Sequence, residues 1–106
     1  MAERGGQRHR YNGAAVTLES LRQRIDDLDE ELVRLLNERA SCALEIGQIK
    51  KTMGWPMYQP EREAEVLRRV RAASVAGGGP LGPEAIARLF ERIIDEARGL
   101  ELKAVR

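Results

Sequence analysis

A single cysteine, Cys42, and a single histidine, His9, occur among the 106 residues. One cysteine closes no internal disulfide, and a lone histidine leaves almost no ligand set for a metal centre. Charge of one sign is also missing: 18 basic and 17 acidic residues give a formal net charge of +1. A nucleic-acid binder working through a large basic face is therefore excluded, and any anion site must be local. Residues 1 to 15, rich in Arg, Gly and Gln, hold no apolar run, so they form neither a signal peptide nor a membrane span. Together these absences describe a cytoplasmic protein without cofactor, metal, membrane or nucleic-acid partner. Residues 1–16 are expected to be a disordered N-terminal tail and residues 17–106 one helical domain. No stretch shows strand periodicity and no internal repeat is present.

What is present is helical periodicity. From Leu18 to Met53 the apolar positions run Leu21, Ile25, Leu28, Leu32 and Leu35, then Cys42, Ile46, Ile49 and Met53, alternating four and three residues apart. Such a helix spans roughly 54 Å, against a radius of gyration near 13 Å for a domain of about 100 residues. It cannot be enclosed by one small globule, and its stripe calls for a second chain. The expectation is an all-α fold with one long and two shorter helices per chain, forming a helical homodimer in which the long helices pack together. Cys42 continues the stripe and reads as a buried small apolar residue.

Local signals set the element boundaries. Thr17 is a suitable N-cap, with Val16 and Leu21 spaced as a hydrophobic staple. Gly54 suits a left-handed cap and Pro56 prevents continuation. Trp55, Met57 and Tyr58 pin the connector over 54–59 to the bundle. A second helix starts at Pro60 and runs to about Ala76, burying Val66, Leu67, Val70 and Ala73, before Gly77-Gly78-Gly79-Pro80 breaks it. A third opens at Gly82-Pro83-Glu84 and presents Ile86, Phe90, Ile93, Ile94, Ala97, Leu100 and Leu102. Surface pairs are expected for Arg34 with Glu30 or Glu38, and for Glu65 with Arg69. Gly47, inside the first helix, costs about 1 kcal/mol relative to Ala, which a close approach by a ligand or another helix would explain.

Three charges do not fit a solvated surface. Arg39 stands where the heptad rhythm calls for an apolar residue between Leu35 and Cys42. Lys50 follows it by almost three whole turns, so both project from nearly the same side, about 16 Å apart at the backbone. Either the two cations reach toward one anionic ligand between them, with Ala43 and Gly47 leaving room, or each pairs with a protein carboxylate. Glu101 follows Ile94 by seven and Ala97 by four, which puts a carboxyl group on an apolar stripe. Protonated, it is a hydrogen-bond donor; ionised, it needs a cation. Arg22 lies about 25 Å before Arg39 along the axis. It is either solvated or, in an antiparallel dimer, directed into the partner's site.

Taken together, Leu21-Arg22-Gln23-Arg24-Ile25-Asp26-Asp27-Leu28-Asp29, Leu35-Leu36-Asn37-Glu38-Arg39-Ala40, Ile46-Gly47-Gln48-Ile49-Lys50-Lys51, Pro60-Glu61-Arg62-Glu63 and Leu89-Phe90-Glu91-Arg92-Ile93-Ile94-Asp95-Glu96-Ala97-Arg98 closely resemble the all-helical, AroQ-type chorismate mutases over about residues 17 to 102. The resemblance implies an intertwined dimer with two equivalent sites that converts chorismate to prephenate by Claisen rearrangement, on the route to phenylalanine and tyrosine. It implies that Arg39 and the partner chain's Arg22 bind substrate carboxylates and that Lys50 contacts a carboxylate and the ether oxygen. Arg62 would support the anionic site, Glu63 would accept from the ring hydroxyl, and Glu101 would lie beside the ether oxygen. Gln59 stands where some members have Asp, and Ala97 where some have Ser. Two other functions share this pattern: a pyruvate lyase acting on isochorismate, and a module that regulates an aromatic-pathway synthase.

The chemistry suits those residues. A pericyclic rearrangement needs no nucleophile, metal or cofactor, but it does need a flexible dianion held in a compact conformer. Breaking the ether bond builds negative charge on oxygen, so a fixed Lys50 and a protonated Glu101 are apt donors.

Overall fold

Thr17 starts the first helix through a reciprocal cap. The Ser20 amide donates to Thr17 Oγ1 at 2.9 Å and the Thr17 amide donates to Ser20 Oγ at 3.1 Å, satisfying donors that the first helical turn leaves orphaned. The structure, a computed structural model, describes residues 16–104. Residues 1–15, with His9 and nearly all of the expected tail, lie outside the described residues.

Helix α1 spans Leu18–Met53, α2 Pro60–Gly77 and α3 Pro83–Ala104; among the described residues there is no strand. The all-α expectation of one long and two shorter helices therefore holds, with α2 one residue longer than its glycine run suggested. At the end of α1, the Gly54 amide donates to the Lys51 carbonyl and the Trp55 amide to the Lys50 carbonyl. Gly54 has φ +72°. This is the paired closure that a left-handed glycine permits and a side chain disfavours. Gln59 receives the Arg62 and Glu63 amides on its carbonyl, with Pro60 at the first helical position, where its missing N–H costs nothing.

The chain divides into two units, residues 1–34 and 35–106. In the first, helix residues Leu21, Ile25, Leu28 and Leu32 are 38–56 % exposed among the described residues. In the second, the remainder of α1 packs with α2 and α3. Ala43, Ala87 and Ile94 are its buried apolar residues, and Lys50, Gly47 and Glu101 are buried with them. The stripe is again uncovered at Leu35, Ile46, Ile49 and Met53.

Several packing expectations are corrected. Cys42 is exposed and lines the cavity described below rather than a packed core. Ala73 is exposed, while Val66, Leu67 and Val70 are half-buried. Trp55 is 51 % exposed, so of the connector's apolar residues only Met57 is partly covered. On the surface, Glu65 takes Arg62, at 2.8 Å, as its ion-pair partner in place of Arg69, while Arg34 engages Glu31 alongside a further contact. Both are one-turn partners that side-chain rotamers can choose between at little cost. Among the described residues no helix is long and apolar enough to cross a membrane.

Candidate active site

Within the second unit a cavity of about 460 Å³ opens between the later half of α1, the connector, the first turns of α2 and the last turns of α3. Its lining brings together Arg39, Lys50, Gln59, Arg62, Glu63, Ala97 and Glu101, drawn from all three helices and the connector. Arg22 is not in this lining; it is exposed in the first unit. The walls between the charges are apolar, supplied by Ala43, Ile46, Met57, Val66 and Ile94.

Lys50 and Glu101 form the innermost pair. Lys50 Nζ donates to Glu101 Oε1 at 3.0 Å and to the Met57 carbonyl at 2.9 Å, and the two side chains are only 10 % and 12 % exposed. The ammonium thus has two fixed partners and a third proton free for a ligand. The carboxyl group on an apolar stripe is accounted for by a cation brought from α1.

Gly47 is what lets α3 come so close. A Cβ at this position would lie 3.3 Å from Glu101 Cγ and 3.5 Å from Glu101 Cα. The close approach inferred from the mid-helix glycine is therefore made by a helix, at the residue that partners Lys50. We expect Gly47→Ala to change thermal stability little, because about 1 kcal/mol of helix propensity is regained against the crowding. Displacement of Glu101 by a few tenths of an ångström should still lower kcat, by roughly threefold to tenfold, short of the ~10²-fold that a 1 Å misplacement costs. A kinetic assay beside a thermal melt separates the two effects; an alanine variant with unchanged kcat contradicts the account.

Arg39 is half-buried, with its guanidinium carbon 6.0 Å from the centre of the Phe90 ring. Among the described residues no carboxylate lies within ion-pair distance of it. Phe90 supports the face of the guanidinium plane, leaving the edge N–H groups for something else. Arg62 lines the rim, and its guanidinium donates outward to Glu65. That contact holds the Glu65 carboxyl below its ordinary value, by the hydrogen bond first and by charge second. Gln59 and Ala97 complete the wall as half-buried residues.

The sequence reading passes over Arg98, yet this residue lines the cavity and binds Glu63. Its Nη2 donates to both Glu63 oxygens, at 2.6 and 2.7 Å, and its Nε to Oε2 at 3.1 Å. The signal that could have found it is spacing: Arg98 precedes Glu101 by three and follows Ile94 by four, so it shares their face of α3.

The lining carries four cationic side chains, Arg39, Lys50, Arg62 and Arg98, and two carboxylates, Glu63 and Glu101. With every group ionised the balance is two positive charges in a cavity with apolar walls. Fold and site thus define a class: an all-α protein with a cationic, apolar-walled cavity between its helices. A family model described as chorismate mutase type II matches residues 21–102, and the chain belongs to that family. A bifunctional chorismate mutase/prephenate dehydratase of Aquifex aeolicus is 41 % identical over 87 residues, covering 81 % of this chain and 24 % of that protein. The chain thus spans about a quarter of the length of that relative. Among solved structures, form II of chorismate mutase from Thermus thermophilus matches with a TM-score of 0.74 at 36 % identity, covering 79 % of this chain and 92 % of its own. Chorismate mutase from Helicobacter pylori in complex with prephenate gives a TM-score of 0.73 at 34 % identity, covering 83 % of this chain and 92 % of its own.

Proposed function

We propose that this chain catalyses the rearrangement of chorismate to prephenate, in the cytoplasm, as a homodimer whose 17–106 segments form the catalytic domain. The observation that carries the reading is Arg39, a half-buried guanidinium lining the cavity with no carboxylate among the described residues at ion-pair distance, beside a Lys50 that is already held by two partners. A dianion laid between them matches the surplus of two positive charges. Arg39 binds one carboxylate. Lys50 uses its remaining proton on the second carboxylate and on the ether oxygen, where negative charge grows as the C–O bond breaks. Glu63 accepts from the ring hydroxyl, Arg62 and Gln59 close the anionic rim, and Ala97 contributes shape without a hydroxyl.

The dimer follows from the same physics. Apolar residues 38–56 % exposed over most of the length of α1 are far more than a monomer leaves uncovered. Association of two long helices buries them, and an antiparallel crossing carries the partner chain's Arg22 to this cavity. The prephenate complex of the Helicobacter pylori relative supports the substrate class.

Product identification tests the reading: purified protein should consume chorismate and yield prephenate. Salicylate and pyruvate from isochorismate, without turnover of chorismate, would replace it with the lyase. Glu101→Gln, which keeps the length of the side chain and removes the charge that Lys50 pairs with, should change kcat. A variant with the wild type's kcat would remove Glu101 from the mechanism.

A further inference from the structure

Within this reading Glu63 has a difficult task. It must accept a hydrogen bond from a hydroxyl on a dianionic ligand while itself carrying a negative charge. A bare carboxylate in the cavity would repel the substrate it is meant to orient, and a carboxylate on the first turns of α2 is free to rotate away toward solvent. Arg98 meets both difficulties. It grips both Glu63 oxygens, at 2.6 and 2.7 Å. It is itself held from two other sides, by Asp95 Oδ1 at 3.3 Å and by the Tyr58 ring, whose centre is 5.2 Å from the guanidinium carbon. Its partners thus come from α2, from the connector and from α3.

We propose that Arg98 is a positioning residue for the rearrangement: its fork fixes the Glu63 carboxylate in the plane that meets the substrate hydroxyl and cancels the charge that would repel the dianion. Two-pronged pairing leaves the outer lone pairs of both oxygens open, so Glu63 remains an acceptor while it is held. The Glu63 hydrogen bond and charge raise the Arg98 pKa above its ordinary value against the opposing effect of burial, so the clamp stays charged wherever the enzyme works. The connector contributes too, since Tyr58 covers the outer face of the guanidinium although its own ring is 58 % exposed. That gives this tyrosine a use that pinning of the loop did not.

The alternative is that the pair only ties α2 to α3. Its side chains are 32 % and 26 % exposed, so as a structural tie it would contribute little. The kinetic consequences differ. The hydroxyl stands beside the carbon that loses the ether oxygen but itself makes and breaks no bond, so its contact is similar in the ground and transition states, and its loss appears mainly in KM rather than kcat.

The experiment is a steady-state double-mutant cycle on the full chain, with chorismate as substrate and a thermal melt of each variant. Arg98→Ala should raise KM about tenfold, the scale of one charge-assisted hydrogen bond, with kcat within about threefold. Arg98→Lys, which keeps the charge and loses the fork, should recover part of that loss. In a Glu63→Ala background the same Arg98→Ala change should alter KM by less than about twofold, because no acceptor remains to be positioned. An equal loss in both backgrounds overturns the proposal and makes Arg98 a direct ligand of the substrate; a fall confined to kcat or to melting temperature overturns it as well. Because the proposal rests on mutase activity, the wild type separates the failures. A wild type that leaves chorismate untouched overturns both readings, whereas an active wild type with an additive cycle overturns only the role of Arg98.

Discussion

Arg39→Ala should cut chorismate turnover by more than an order of magnitude while leaving the fold and the proposed dimer intact. The guanidinium is half-buried, supported on one face by Phe90, and engaged by no carboxylate among the described residues. Its removal therefore breaks no ion pair and exposes no stranded charge. What disappears is the partner for a substrate carboxylate in a cavity with apolar walls, where a desolvated charge pair is worth about 2 to 5 kcal/mol. The corresponding loss in kcat/KM is roughly 30- to 5,000-fold. Circular dichroism and sedimentation should match the wild type. A variant that retains activity within a few fold would show that the anion sits elsewhere, and one that fails to dimerise would make Arg39 an interface residue.

Lys50→Ala should damage both activity and stability, which sets it apart from Arg39→Ala. The donor that meets the developing negative charge is lost, a change that typically costs about 3 to 4 kcal/mol of barrier. In addition, Glu101, 12 % exposed at its side chain, is left without its cation, and breaking a buried pair from one side costs about 3 to 5 kcal/mol. Because the pair reaches the cavity wall, the low end of that range applies. Replacing both partners by apolar residues, Lys50→Met with Glu101→Leu, should return most of the stability and none of the activity. Chemical denaturation of the three proteins checks this. A single Lys50→Ala variant as stable as the wild type would mean that water in the cavity already solvates Glu101.

These two cations behave differently although the sequence places them alike, eleven residues apart on one face of one helix. The difference lies in what α3 brings opposite each. Glu101 arrives at Lys50 because Gly47 has no Cβ to hold it off, whereas opposite Arg39 the helix offers the ring of Phe90. One cation therefore reaches the ligand already shared with the protein, and the other reaches it free. Such a division suits a reaction in which one end of the substrate is only held and the other undergoes bond breaking.

Whatever depends on neighbouring residues could be read from the chain alone. The Thr17 cap, the left-handed Gly54, Pro60 at the head of α2 and the glycine run after it act over one or two turns, and so the three helices and their limits were legible directly. The length of the apolar stripe was equally legible, since helix rise is constant. The pairings within the site were settled by the fold. Glu101 with Lys50 and Arg98 with Glu63 join residues 51 and 35 positions apart, and which of many possible partners a charge meets depends on where helices cross and how closely they approach. The same reason explains the exposed Cys42, whose place in the stripe could not say that it would line a cavity rather than a packed core. Spacing along one helix names the candidates within reach, but the facing helix decides which of them is used.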